Sequence, residues 1–147
     1  MATILIVDDD NRIRETLNEL LAETHECHTA DRAEQALAYL ELQNYDAVLT
    51  DIAMPGLSGR EILKCTQEHH PATPVIVISG DANEYAAKEL IAMGAFAYLT
   101  KPFHLDEVED TVNRAIMHHH ELVKTLPVQT SNEPAAEDAA AEPNEPS

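Results

Sequence analysis

The sequence predicts a three-layer α/β domain built on a parallel sheet. Three observations carry the prediction. Strand-like and helix-like hydrophobic periods alternate along residues 4–124. All but one of the strand-like segments are continuous apolar runs, as parallel strands covered on both faces require. Those runs also end on polar residues, at Asp8-Asp9-Asp10, Asp51, Ser79 and Lys101-Pro102. Alternating strands and helices join through right-handed crossovers, and such folds bind ligands outside the carboxyl ends of their strands. The polar ends are therefore expected side by side on one rim.

The elements follow in order. Ile4 to Val7 is the first strand, and Ile13, Leu17, Leu20 and Leu21 then keep helical spacing. Asp10 suits the start of that helix, where a carboxylate is favoured. Glu26 to Ala30 is a second strand, more polar than the rest and so expected at an edge. Ala33, Ala36, Leu37 and Leu40 mark the second helix, and Ala47 to Thr50 the third strand. Ser58 to His69 reads as the third helix, closed by Pro71, and Val75 to Ile78 as the fourth strand. Ala87, Leu90 and Ile91 mark the fourth helix, which Gly94 is placed to end. Phe96 to Leu99 is the fifth strand, and Leu105, Val108, Val112, Ala115 and Ile116 mark a last helix reaching about Lys124.

Length and composition bound the function. The 147 residues fit one domain, since domains commonly hold roughly 100–150 residues. Aromatics are 4% and Trp is absent, so Ala, Val, Ile and Leu must fill the core. The formal net charge of -18 argues against nucleic acid, whose binding uses Lys and Arg to neutralise phosphates. It equally disfavours an anionic membrane surface. A metal or a basic protein patch is the more natural partner. No run nears the ~20 apolar residues of a membrane span, and no signal peptide opens the chain. A cytoplasmic location is expected. Cys27 and Cys65 have no metal-like spacing and are expected as buried free thiols. Residues 127–147 hold four Pro and five acids without Lys or Arg, which predicts a disordered tail. The expected division is a folded domain over 1–125 and a tail over 126–147.

The rim has chemistry of its own. Two unit charges 4 Å apart interact by about 4 kcal/mol at an effective dielectric near 20, so crowded carboxylates want a cation between them. Asp8, Asp9 and Asp51 offer the hard oxygens that Mg2+ prefers. Asp51 is the candidate nucleophile, because a carboxylate can attack phosphorus in line. Lys101 and Ser79 are placed to meet phosphoryl oxygens. Gly80 follows Ser79 with no side chain in the way. The consecutive His118, His119 and His120 project about 100° apart on a helix, which predicts a solvated face rather than a metal site. His25 and His28 are expected at the surface or satisfied by neighbours.

These residues resemble the receiver domain of two-component response regulators. The resemblance covers about residues 1–124. It rests on Asp8-Asp9, Asp51 followed by Met54-Pro55 and Gly59, Ser79-Gly80, and Tyr98 ahead of Lys101-Pro102-Phe103. It implies the flavodoxin-like (βα)5 fold with strand order 2-1-3-4-5. It implies that a sensor histidine kinase or phosphotransfer protein phosphorylates Asp51. Asp8, Asp9, Asp51 and the carbonyl of Ala53 would hold Mg2+, and Lys101 and Ser79 would contact the phosphoryl group. The Lys101-Pro102 peptide would be cis. Ser79 and Tyr98 would switch together and rearrange the face of the fourth helix, fifth strand and fifth helix. Ala53 and Asp81 would flank the phosphoryl group and set its lifetime. Ile13, Arg14 and Leu17 of the first helix would face the kinase.

The expected function is a phosphorylation-dependent signalling switch, a phosphoprotein that catalyses only its own phosphorylation and dephosphorylation. It would act as a stand-alone receiver, monomeric or weakly dimeric on phosphorylation, by docking on an unidentified downstream protein. The alternative is a phosphate shuttle or sink in a phosphorelay. A phosphatase of the haloacid-dehalogenase kind also uses an aspartate nucleophile, but it needs a second acid two residues on, where Ala53 stands. A degenerate receiver working without phosphate is opposed by the complete set of acids, Ser79 and Lys101.

Overall fold

Side chains alternate along a strand, so a strand with apolar residues at every position must be covered on both faces. The first strand shows the outcome. Ile4 and Ile6 pack to one side, and Leu5 and Val7 to the other. The computed structural model describes residues 2–52, 58–80 and 84–125. Within them run β1 (Thr3–Val7), α1 (Asn11–Ala22), β2 (Glu26–Ala30), α2 (Ala33–Leu42), β3 (Ala47–Asp51), α3 (Gly59–His69), β4 (Val75–Ser79), α4 (Glu84–Ala92), β5 (Ala97–Thr100) and α5 (Leu105–Thr125). All strand pairs are parallel, in the order β2-β1-β3-β4-β5. This is the flavodoxin-like order, with the polar β2 at an edge as expected.

Two apolar layers sandwich the sheet. Leu17 and Leu21 of α1 join Val108, Val112 and Ala115 of α5 against Ile4, Ile6, Leu49, Ile76 and Ile78. On the other face α2, α3 and α4 supply Ala36, Leu40, Ile62, Leu63 and Leu90 against Leu5, Val7, Val48 and Val77. Burying one such Leu or Ile is worth about 1.5–3 kcal/mol, so these layers dominate the fold's stability.

Local signals set the helix ends. The Asp10 carboxylate accepts from Arg12 N at 2.9 Å. Ser58 accepts from Arg60 N at 3.1 Å, which makes it the cap of α3 rather than its first residue. Such caps are worth about 1 kcal/mol each. Gly94 adopts φ 109°, a conformation open to glycine, and its N donates to Ile91 O at 2.9 Å beyond the end of α4.

β5 lies at the other edge, as the expected strand order has it. Several expectations are corrected. β5 is an apolar run, yet only Leu99 in it is buried, so it is not covered on both faces like the inner strands. Leu17 lies in the core at 1% exposure and is turned away from any partner. Cys27 and Cys65 are free but only half-buried. Burial still pushes the Cys27 thiol up to about 11, aided by the charge of Glu26. The three histidines of α5 are not a uniform solvated face. His119 Nδ1 donates to Ala72 O at 2.9 Å and its Nε2 lies 3.1 Å from Asp46 Oδ1, while the exposed His118 ring packs on Phe96. His120 Nε2 also comes within 4.0 Å of Asp46 Oδ1, so two of the three share one carboxylate while His118 turns elsewhere. His28 meets Tyr45 Oη and Glu26, each at 2.8 Å, and so is satisfied as expected. The expected tail over 126–147 lies outside the described residues.

Candidate functional site

Register alone assembles the rim. Val7 pairs with Thr50, so Asp8 and Asp51 follow on adjacent strands. Asp51 pairs with Ile78, and Ser79 pairs with Thr100, one residue before Lys101. Lys101 N donates to Ser79 O at 2.7 Å, which ties the loop after β5 to the end of β4. The Lys101-Pro102 peptide is cis.

The charges converge. Lys101 Nζ lies 3.1 Å from Asp51 Oδ2 and 3.2 Å from Asp8 Oδ2. The side chains of Asp8 and Asp51 are 1% and 6% exposed, so water screens them little. Burial works to lower the Lys101 pKa, yet its hydrogen bond and attraction to Asp51, then to Asp8, raise it overall. Burial raises the Asp8 pKa, against the bond from Asp10 N and the attraction of Lys101 and with the repulsion of Asp51.

One ammonium does not balance this set. Oxygens of Asp8, Asp9 and Asp51 lie within 4.8 Å of one another. Asp8 Oδ1 accepts from Asp10 N at 2.8 Å, whereas the buried Asp8 Oδ2 has only the Lys101 ammonium, 3.2 Å away and shared with Asp51. A buried carboxylate oxygen left so calls for a further positive partner. The hard-oxygen donors and the exposed Asp9 fit a divalent cation such as Mg2+ that keeps several waters. The expected ligand Ala53, and the flanking Met54, Pro55 and Asp81, lie outside the described residues.

Backbone fixes Asp51. Its carbonyl accepts from the buried Thr50 Oγ1 at 3.0 Å. Gly59 sits so close that a Cβ there would collide with the same carbonyl oxygen. A Cβ at Gly80 would meet open space, in keeping with an unobstructed approach. Ser79 is buried at 3% at the end of β4, and Tyr98 is half-buried against the layer of α2, α3 and α4. Thr50 carries no signal of such a role in the sequence. Arg14, expected near the site, donates its Nη1 to Asp8 O at 2.8 Å. A cation in the first helical turn after three acids was the available signal. Beside the rim, Ile13, Pro102, Phe103 and Leu105 line a groove of about 640 Å³ that also reaches Lys101.

Comparisons with known proteins agree. The family model described as the response regulator receiver domain matches residues 4–113. The chain is 40% identical over 119 residues to the DNA-binding transcriptional regulator NtrC of Salmonella typhimurium, covering 80% of this chain and 25% of that protein. The chain thus spans about a quarter of the length of that curated relative. The receiver domain of the Francisella response regulator 1452 superposes with a TM-score of 0.75 at 30% identity, covering 80% of this chain and 98% of that one. NtrX from Brucella abortus gives 0.79 at 34% identity, covering 84% and 28%.

Proposed function

The chain belongs to the response regulator receiver domain family, and on that premise we propose that Asp51 accepts a phosphoryl group from a histidine kinase or phosphotransfer protein. The observation that carries the reading is the meeting of Asp51 and Lys101 at 3.1 Å beside the carboxylates of Asp8 and Asp9. An Asp51 oxygen attacks phosphorus as the P–N bond of a phosphohistidine breaks. The electron pair leaves with the imidazole, which takes up a proton. Lys101 exchanges part of its pairing with Asp51 for the phosphoryl oxygens, and Ser79 donates to another.

Asp8, Asp9, Asp51 and the Ala53 carbonyl are the proposed holders of Mg2+. Bound there, the cation supplies neutralisation of charge on the phosphoryl group. The groove of Ile13, Phe103 and Leu105 is the proposed seat of the donor protein. Ser79 and Tyr98 are the proposed switch, because a phosphate's added charge and acceptors favour one packing of a bistable element. The output face is then α4, β5 and α5, where Ile91 of α4 is exposed. Docking on a downstream protein through that face is the proposed output. Among the described residues no helix is long and apolar enough to cross a membrane.

The test is incubation with acetyl phosphate and Mg2+ followed by intact mass. The expected result is a gain of one phosphoryl group, lost in Asp51→Asn. A gain retained in that variant contradicts the reading.

A further inference from the structure

The first turn of α1 carries a cation where a helix disfavours one. Backbone dipoles make a helix N-terminus positive. Arg14 nonetheless sits one turn inside α1, with its N bonded to Asp10 O at 3.0 Å. Its guanidinium folds back toward the rim. Nη1 donates to Asp8 O at 2.8 Å, and Nη2 donates to Asn11 Oδ1 at 2.6 Å. One rigid fork thus joins Asp8, the residue just after β1, to Asn11, the residue that begins α1.

The consequence falls on Asp8. Its N donates to Ala30 O at 3.2 Å, its Oδ1 accepts from Asp10 N at 2.8 Å, and its carbonyl is held by Arg14. With those atoms fixed, Oδ2 is left beside Lys101 Nζ at 3.2 Å, and a carboxylate oxygen of Asp8 lies within 4.8 Å of oxygens of Asp9 and Asp51. Orientation by bonds behind the ligand is how proteins sharpen metal sites. We propose that Arg14 is a positioning residue for the cation site: it locks the Asp8–Asn11 turn so that Asp8 and Asp9 present their oxygens together. The proposal rests on the reading that this site binds a divalent cation and that Asp51 is phosphorylated.

Charge and position predict opposite signs, which makes the idea testable. By charge alone, removing a guanidinium near three carboxylates tightens Mg2+ binding. By position, removing it loosens the turn and weakens binding. Arg14→Lys separates the two, since it keeps the charge and loses the fork.

The experiment measures Mg2+ affinity of the full chain by titration calorimetry for wild type, Arg14→Lys and Arg14→Ala, with far-ultraviolet circular dichroism to check folding. Loss of an outer partner of a ligand commonly costs about 10–100-fold in metal affinity, and weakening toward the low end is expected in both variants. Saturating Mg2+ should restore the Arg14→Lys rate of phosphorylation by acetyl phosphate. Wild-type Mg2+ affinity in Arg14→Lys, or tighter binding in Arg14→Ala, overturns the proposal. Weakened Mg2+ binding in a protein whose wild type takes up no phosphoryl group supports the role of Arg14 while sinking the functional reading.

Discussion

The two ends of one sheet are wired differently. At the carboxyl rim, Asp8 and Asp51 share the single ammonium of Lys101, with the Asp9 carboxylate beside them. At the opposite end Asp46 divides its oxygens between Thr3 N at 2.8 Å and His119 Nε2 at 3.1 Å. His119 turns its other nitrogen to Ala72 O, Thr73 Oγ1 donates to Tyr45 O at 2.9 Å, and Ala2 N donates to His25 Nδ1 at 3.2 Å. The base is closed by internal partners, whereas the rim keeps an excess of negative charge. Polar groups that satisfy one another hold a structure together. Carboxylates that outnumber the cations beside them mark the place where a further cation binds.

The largest expected difference is in metal response. Mg2+ at a hundredfold its dissociation constant should stabilise the wild type by about 2.7 kcal/mol. Thermal melts should show that gain lost in Asp9→Ala and kept in Asp46→Ala. A gain kept in Asp9→Ala moves the metal off the rim.

Next comes the base. Asp46→Ala leaves Thr3 N and His119 without their acceptor, and should lower stability by about 1–3 kcal/mol in urea melts. Phosphoryl incorporation should stay at the wild-type extent, and a drop would couple the two ends. Gly59→Ala probes the rim by bulk instead of charge. The collision with the Asp51 carbonyl should cost about 1–3 kcal/mol and slow phosphorylation as well.

Acidity should separate the ends by sign. Burial, followed by the charge of the amino terminus, lowers the His25 pKa below 6.5 against the pull of Asp46. The unfolded chain then binds the proton more readily, so this contribution is present above pH 6.5 and is lost as pH falls through the folded value. Asp8 runs the other way. Its folded pKa is raised above 3.8, so the fold holds that proton longer and stability declines as pH climbs from 3.8 through the folded value. Denaturant melts across pH should lose the first slope in His25→Gln and the second in Asp8→Asn. The smallest effect belongs to the exposed Arg60–Glu89 pair between α3 and α4, where Glu89→Gln should change stability by about 0–1 kcal/mol.

The rim was legible in the sequence because each apolar run stops where its polar residue begins. Parallel pairing then leaves little freedom in how Asp8, Asp51 and Ser79 line up. The polarity of β2 likewise announced an edge. The strand order and the cis Lys101-Pro102 peptide came through the family resemblance, since spacing alone specifies neither. The base was illegible because Asp46 and His119 meet across the whole fold, and a helix considered alone assigns His119 to solvent. Leu17 differs from expectation for a related reason. Periodicity puts it near the front of α1 with Arg14 but does not say that Leu17 enters the core while Arg14 reaches Asp8 O.

The most direct measurement locates the phosphoryl group chemically. After reaction with acetyl phosphate and Mg2+, borohydride reduces an aspartyl phosphate to homoserine, which peptide mass spectrometry assigns to a residue. Conversion at residue 51 is predicted. Conversion at another acid, or a phosphoryl group found on histidine instead, contradicts the account.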